Sequence, residues 1–337
     1  MTYMAMSKEN SMYLGRGFHS PKWEVAFQKD GLLFDLLEIV KSDENLVIEI
    51  RNDYFNVYYK GGNLVKVDSI NSIQFDHNYY KGYKRPYYES DDKEHERMEL
   101  KKALLKRLKK ERNWDEFVKT MKKLMDDYWI WLQEVRHKSL KEKDIQHSLC
   151  INNTEETEYT IIDVEFQISS QAKYHYKRPI CPQGRFVDLD KKSPRFDIIA
   201  VRNADQQLCV IELKSGLSAL KGKSGIGDHA DSYEGTIGRE PQVFLDEIKG
   251  VIEDKKAYGL LSKDFYVSNN NPEFLYAYSY KENEIDKDKH PINKEQQKDS
   301  FFKEMKNNHC EQYEVLFLEE NNYRLSDKER CRPKRNE

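Results

Sequence analysis

Apolar and polar residues alternate in short runs near the start of the chain. Leu46–Ile50 (LVIEI), Phe55–Tyr59 (FNVYY) and Asn63–Val67 (NLVKV) read as strands, and Gly61-Gly62 signals a hairpin between the last two. Asp30-Gly31 marks an earlier turn, and the LLFDLLEIV that follows suits a strand or a short helix. The tyrosines of YFNVYYKGG suit cross-strand aromatic packing, although aromatic rings also stack on bases. The period then becomes helical. ERMELKKALLKRLKKERN places Leu100, Leu104, Leu105 and Leu108 on one stripe, with Lys101, Lys102, Lys106, Arg107, Lys109 and Lys110 opposite. That basic face reads equally as a solvated surface and as a phosphate track. WDEFVKTMKKLMDDYWIWLQEV predicts a second helix burying Phe117, Met121, Leu124, Met125, Tyr128 and Trp131.

The densest apolar pattern is PRFDIIAVRNADQQLCVIELKSG, from Pro194 to Gly216. It predicts two strands joined by a polar turn over Arg202 to Gln207. If Val201 pairs with Leu208, Asp197 comes to lie across from Glu212 on the face that also carries Ile199, Val201, Leu208 and Val210. Ile198, Ala200, Cys209, Ile211 and Leu213 fill the opposite face. A hairpin apolar on both faces belongs inside a covered sheet. Glu212 and Lys214 share a face because strand side chains alternate. Two opposed carboxylates repel unless a proton or a cation sits between them. A divalent metal is the simplest answer, and a neighbouring lysine would then orient water or offset charge on phosphorus.

Asp197 followed by Glu212-Leu213-Lys214 resembles the PD-(D/E)XK nuclease superfamily, over roughly residues 141 to 261. Pro194 stands three residues before Asp197 rather than beside it. The resemblance implies a restriction endonuclease-like α/β core, a central mixed β-sheet flanked by helices. It implies Asp197 and Glu212 as Mg2+ (or Mn2+) ligands, the Leu213 carbonyl as a third, and Lys214 as the catalytic lysine. It also suggests one further acidic ligand. Glu142, in KSLKEKDIQHSLCIN with Gln146 one turn on, and Glu165, in the strand YTIIDVEFQIS beside Asp163, are the two candidates.

The segments around this motif supply the expected substrate contacts. Ser170 to Pro194 is too long for a tight turn and carries Lys173, Lys177, Arg178 and Arg185 among Tyr174, His175 and Tyr176. After Lys214 the chain is glycine-rich and reads as a mobile loop. Its Lys221 and Lys223 are further nucleic-acid contacts, and His229 and Asp231 are the groups in it that could assist chemistry. The stretch lacks the spacing of a nucleotide-binding phosphate loop. Arg239 to Leu261 predicts an amphipathic helix. Its Gln242 loosely matches a glutamine found after the lysine in some branches of the superfamily. Phe274 to Tyr280 and Tyr313 to Glu320 predict later strands.

Composition narrows the setting. With 56 basic against 59 acidic residues, net charge predicts no partner, so a nucleic-acid surface must be local. Five scattered cysteines argue against a disulfide frame or a zinc knuckle and suit a reducing, cytoplasmic compartment. No signal peptide or membrane span is predicted. The expected organisation is a small β-rich module over 1–90, a helical connector over 91–140, the nuclease-like domain over 141–325, and a basic, disordered tail over 326–337. The expected activity is metal-dependent phosphodiester hydrolysis on nucleic acid, DNA rather than RNA, in a restriction or phage-defence setting. No membrane partner is expected, and a homodimer is left open. The rival expectation is an inactive protein of the same fold that binds nucleic acid or a protein partner.

Overall fold

The structure, a computed structural model, describes residues 15–69, 72–74, 99, 102–108, 110–134, 141–168, 173–179, 186–192, 194–282, 284–285, 289–319 and 323–333. It is mixed α/β and divides into two compact units. One comprises Gly17–His147 with Ala257–Leu260; the other comprises Met1–Arg16, Ser148–Lys256 and Leu261–Glu337.

The first unit contains helices α1 (Lys22–Phe27) and α2 (Phe34–Ser42) and a four-stranded antiparallel sheet in the order β1 (Leu46–Ile50), β2 (Phe55–Tyr59), β3 (Gly62–Ser69), β4 (Ser72–Gln74). The ambiguous LLFDLLEIV is thus mostly α2. Lys60 and Gly61, both at positive φ, close the β2–β3 hairpin. The long helix α3 (Trp114–Glu134) does not act as a separate connector. Its Phe117, Met121, Met125 and Trp129 share one buried cluster with Trp23, Leu36, Phe55, Val57 and Val67. A four-stranded sheet has an apolar face to cover, and the stripe on α3 covers it. The indole of Trp114 adds a hydrogen bond to the Leu32 carbonyl at 2.7 Å. Residues 102–108 are helical and Leu108 is buried. On the basic face, Lys102 pairs with Glu99, and Arg107 with Glu111 and Glu116, in exposed contacts that partly neutralise it. Leu100, Lys101 and Lys109 lie outside the described residues, as does the side chain of Trp131.

The second unit is built on a six-stranded mixed sheet in the order β12-β11-β10-β9-β8-β5. The strands are β5 (Tyr159–Gln167), β8 (Arg195–Arg202), β9 (Gln207–Ser215), β10 (Glu273–Ser279), β11 (Glu314–Leu318) and β12 (Arg330–Cys331). β5, β8 and β9 pair antiparallel, β10 and β11 continue parallel to β9, and β12 closes the edge antiparallel. Parallel neighbours need crossovers. Helices α5 (Ile226–Gly235) and α6 (Pro241–Ala257) carry the chain from β9 to β10, and α7 (Lys294–Asn307) carries it to β11. Ile199, Val201, Leu208 and Val210 pack with Ile226, Tyr233, Phe244, Ile248 and Phe301 of these helices. Ile198, Ala200, Cys209 and Ile211 on the opposite face are equally buried, as expected for a hairpin apolar on both sides. Helix α4 (Lys141–Asn152) precedes β5.

The long insertion before β8 contains a two-stranded antiparallel ribbon, β6 (Lys173–Pro179) with β7 (Phe186–Lys192). The C-terminal segment expected to be disordered is ordered through β12. Arg330 there binds Glu273 at 2.9 Å and pairs with Glu314, so acidic groups at the sheet end neutralise what looked like a free basic tail. At the other end of the chain, Arg16 is buried in the second unit. Its Nη1 lies 2.6 Å from Asp163 Oδ2, and its guanidinium stacks 3.9 Å from the centre of the Phe166 ring. Among the described residues no helix is long and apolar enough to cross a membrane.

Candidate active site

The β8–β9 hairpin has the register supposed from the turn over Arg202 to Gln207. Val201 pairs with Leu208 and Ile198 with Ile211, and residues 203–206 form the turn. Carried one step further, this register sets Asp197 level with Glu212. The Leu213 amide donates to Asp197 Oδ2 at 2.9 Å, which ties the acid to the neighbouring strand. Lys214 Nζ donates to Glu212 Oε1 at 2.9 Å. The three charged residues therefore meet at one end of the hairpin, as the sequence predicts.

Strand β10 lies beside them, with Tyr276 in register with Glu212 and Tyr278 with Lys214. Both tyrosines are fully buried and both hydroxyls are used. Tyr276 donates to the Ile226 carbonyl at 2.8 Å, and Tyr278 bonds Gln297 Oε1 at 3.0 Å. These bonds hold the start of α5 and the first turn of α7 against the strands that carry the site. The same low-dielectric surroundings raise both phenols above their ordinary range.

Electrostatically, burial and the neighbouring acid disfavour charge on Asp197. Desolvation holds the Asp197 carboxyl well above its usual range. The negative charge of Glu212 and a hydrogen bond between the two carboxyls push the same way, and Lys214 pulls against them. A cation between the two acids would relieve that repulsion.

One neighbour of this cluster, His229, comes from the stretch that the sequence reads as a loop. The glycine-rich stretch after Lys214 is not a mobile loop. It makes 3-10 turns over Leu217–Leu220 and Gly222–Ser224 and then helix α5. Two glycines allow the tight entry. Gly216 leaves β9 at φ 72°, and a Cβ on Gly225 would fall 2.7 Å from the Leu220 carbonyl oxygen. The signal for the helix was present in the spacing Ile226, Ala230, Tyr233, an apolar stripe that the surrounding glycines obscured. On that helix His229 places Nδ1 2.9 Å from Glu212 Oε1. Asp231, the other group named in the stretch, is buried on the same helix.

The remaining candidates stand elsewhere. Glu165 lies on β5 between Val164 and Phe166, which pair with Ile198 and Phe196, so it flanks Asp197 in register. It has φ 50° and faces Arg195 at 3.8 Å; Asp163, expected on its face, is instead buried against Arg16. The left-handed residue and a register shift between Ile161 and Asp163 break the strand alternation that grouped them. Glu142 is exposed in the first turn of α4, on the part of that helix belonging to the first unit. Gln242 is exposed and bonds Asp246 on its own helix. Lys221 is 75% exposed, 3.9 Å from Glu304. Lys173, Lys177 and Arg178 fall on β6, where the register sets Lys177 opposite Asp188 and His175 opposite Asp190. Strand β6 lies against α5, which places this ribbon beside the helix that carries His229. Arg185, and the side chains of Lys173, Lys177, Arg178 and Lys223, lie outside the described residues.

Among the described residues no three or more His, Cys, Asp and Glu side chains gather into a metal-holding group. A cation at this site would rest on the two carboxylates and main-chain oxygen, which suits magnesium, an ion usually held by one or two carboxylates while it keeps much of its water. The repulsion between Asp197 and Glu212 fits that reading, because a cation would relieve it. No protein-family model, curated protein or solved structure matches the chain.

Proposed function

We propose that the chain is a metal-dependent nuclease of the PD-(D/E)XK type that hydrolyses phosphodiester bonds, with DNA the preferred substrate. The observation that carries this reading is the meeting of Asp197, Glu212 and Lys214 at the end of one hairpin in a mixed sheet with helices packed on it. Asp197 and Glu212 would hold Mg2+ (or Mn2+), with the Leu213 carbonyl as a third ligand. The ion, when bound, supplies Lewis-acid charge and lowers the pKa of water. The Leu213 amide fixes Asp197, so this acid is oriented before any ligand arrives. Lys214 supplies positive charge beside the acids, where it orients the attacking water and offsets negative charge on the phosphate oxygens. The β6–β7 ribbon, with Lys173, Lys177 and Arg178, is the proposed backbone contact, and Lys221 and Lys223 extend it.

Supercoiled plasmid incubated with MgCl2, MnCl2 or EDTA tests this reading. Nicked and linear products that need metal and vanish in Lys214→Ala are expected. Cleavage that persists in Asp197→Ala, Glu212→Ala and Lys214→Ala alike overturns it. A second reading, a binding protein of this fold without activity, is favoured by the close Lys214–Glu212 pair, which engages the lysine. Salt-sensitive DNA binding without cleavage in either metal is its signature.

A further inference from the structure

We infer that His229 is a positioning residue of this site, one that holds the Glu212 carboxylate in place for the cation; the inference rests on the nuclease reading above. His229 lies three residues after Ile226 and four before Tyr233, so the three share the stripe of α5 that faces the sheet. That helix is fastened at several points. Tyr276 holds the Ile226 carbonyl, Tyr233 donates to the Pro272 carbonyl at 2.5 Å, and Tyr313 bonds Glu234. The imidazole is therefore presented by a rigid element. It is 17% exposed where it meets a Glu212 side chain that is 2% exposed.

Lys214 Nζ and His229 Nδ1 bond the same Glu212 oxygen, Oε1, each at 2.9 Å. They differ in reach. Lysine is a point charge on a flexible four-carbon stem, whereas a ring bonded through Nδ1 has only two side-chain torsions. When Lys214 turns toward a substrate phosphate, His229 stays on Glu212. Partners of this kind, one step behind a metal ligand, set its orientation, and losing one typically lowers metal affinity by about 10–100-fold.

The test uses the full chain and two readouts, Mn2+ binding followed by the electron paramagnetic resonance signal of the free ion, and plasmid cleavage across a MgCl2 series. His229→Ala should weaken Mn2+ binding and raise the half-saturating MgCl2 concentration by about 10–100-fold, with a smaller loss of rate at saturating metal. His229→Asn, whose amide nitrogen can stand near the position of Nδ1, should recover most of both. His229→Ala that binds Mn2+ and cleaves like the wild type overturns the inference. So does a defect that only tracks lost thermal stability in EDTA and is matched by Tyr276→Phe, which loosens α5 without touching Glu212. Failure of the parent reading shows in the wild type instead: a wild-type chain that binds no Mn2+ and cleaves nothing sinks both.

Discussion

Lys214 Nζ stands 2.9 Å from Glu212 Oε1, and the two side chains are only 5% and 2% exposed. A pair this deeply covered is not a surface ion pair of negligible worth. Removing one member strands the other in a low dielectric, at a cost of about 3–5 kcal/mol. Lys214→Met should therefore lower the unfolding free energy of the second unit by about 3 kcal/mol, the lower end, because His229 still bonds Glu212. Urea denaturation measures this. The double variant Glu212→Gln/Lys214→Met should recover part of the loss, since no charge is then stranded. Cleavage should fall about 100-fold or more in either background.

The repulsion between Asp197 and Glu212 leads to a second expectation. A cation that binds only the folded chain stabilises it by about 2.7 kcal/mol when present at 100 times its dissociation constant. MnCl2 should accordingly raise the melting temperature of the wild type above its value in EDTA. Asp197→Ala should abolish that rise. An equal shift in Asp197→Ala would place the ion elsewhere.

Arg16 and Asp163 form a buried pair 2.6 Å apart, with both side chains almost wholly covered. Arg16→Met should destabilise the second unit by about 3–5 kcal/mol, because Asp163 is left charged and buried. Arg16→Met combined with Asp163→Asn should recover a large part. A double-mutant cycle in chemical denaturation checks the coupling.

In the first unit, burial lowers the pKa of His147 to about 4. Its Nε2 has no hydrogen-bond partner among the described residues, as suits a neutral ring. Above pH 6.5 the group is neutral in both folded and unfolded chains and contributes no pH dependence. As pH falls from 6.5 toward 4, the unfolded chain takes up a proton that the native chain refuses, so stability declines by up to about 3 kcal/mol. His147→Gln should flatten that decline relative to the wild type, read as the difference in urea midpoints at pH 7.5 and pH 4.5.

Two apolar runs by themselves determined the β8–β9 hairpin, and once Val201 is set against Leu208 the meeting of Asp197, Glu212 and Lys214 follows, because opposed residues of an antiparallel pair project to one face. The first-unit strands and the later strands β10 and β11 were legible from short apolar runs, and α3 from its helical period. Tertiary structure decided the rest. Residues around Gly216 and Gly225 look like a loop until the sheet supplies Tyr276 to hold the carbonyl of Ile226, and only then does α5 deliver His229 to Glu212. Glu165 left the pattern because a positive φ and a register shift interrupt the alternation that placed it beside Asp163. Arg330 read as tail until Glu273 and Glu314, far from it in sequence, met it at the end of the sheet. Local periodicity sees which face a side chain takes within one element. Which elements face each other depends on contacts between residues distant along the chain, and those form only when the sheet and its helices pack.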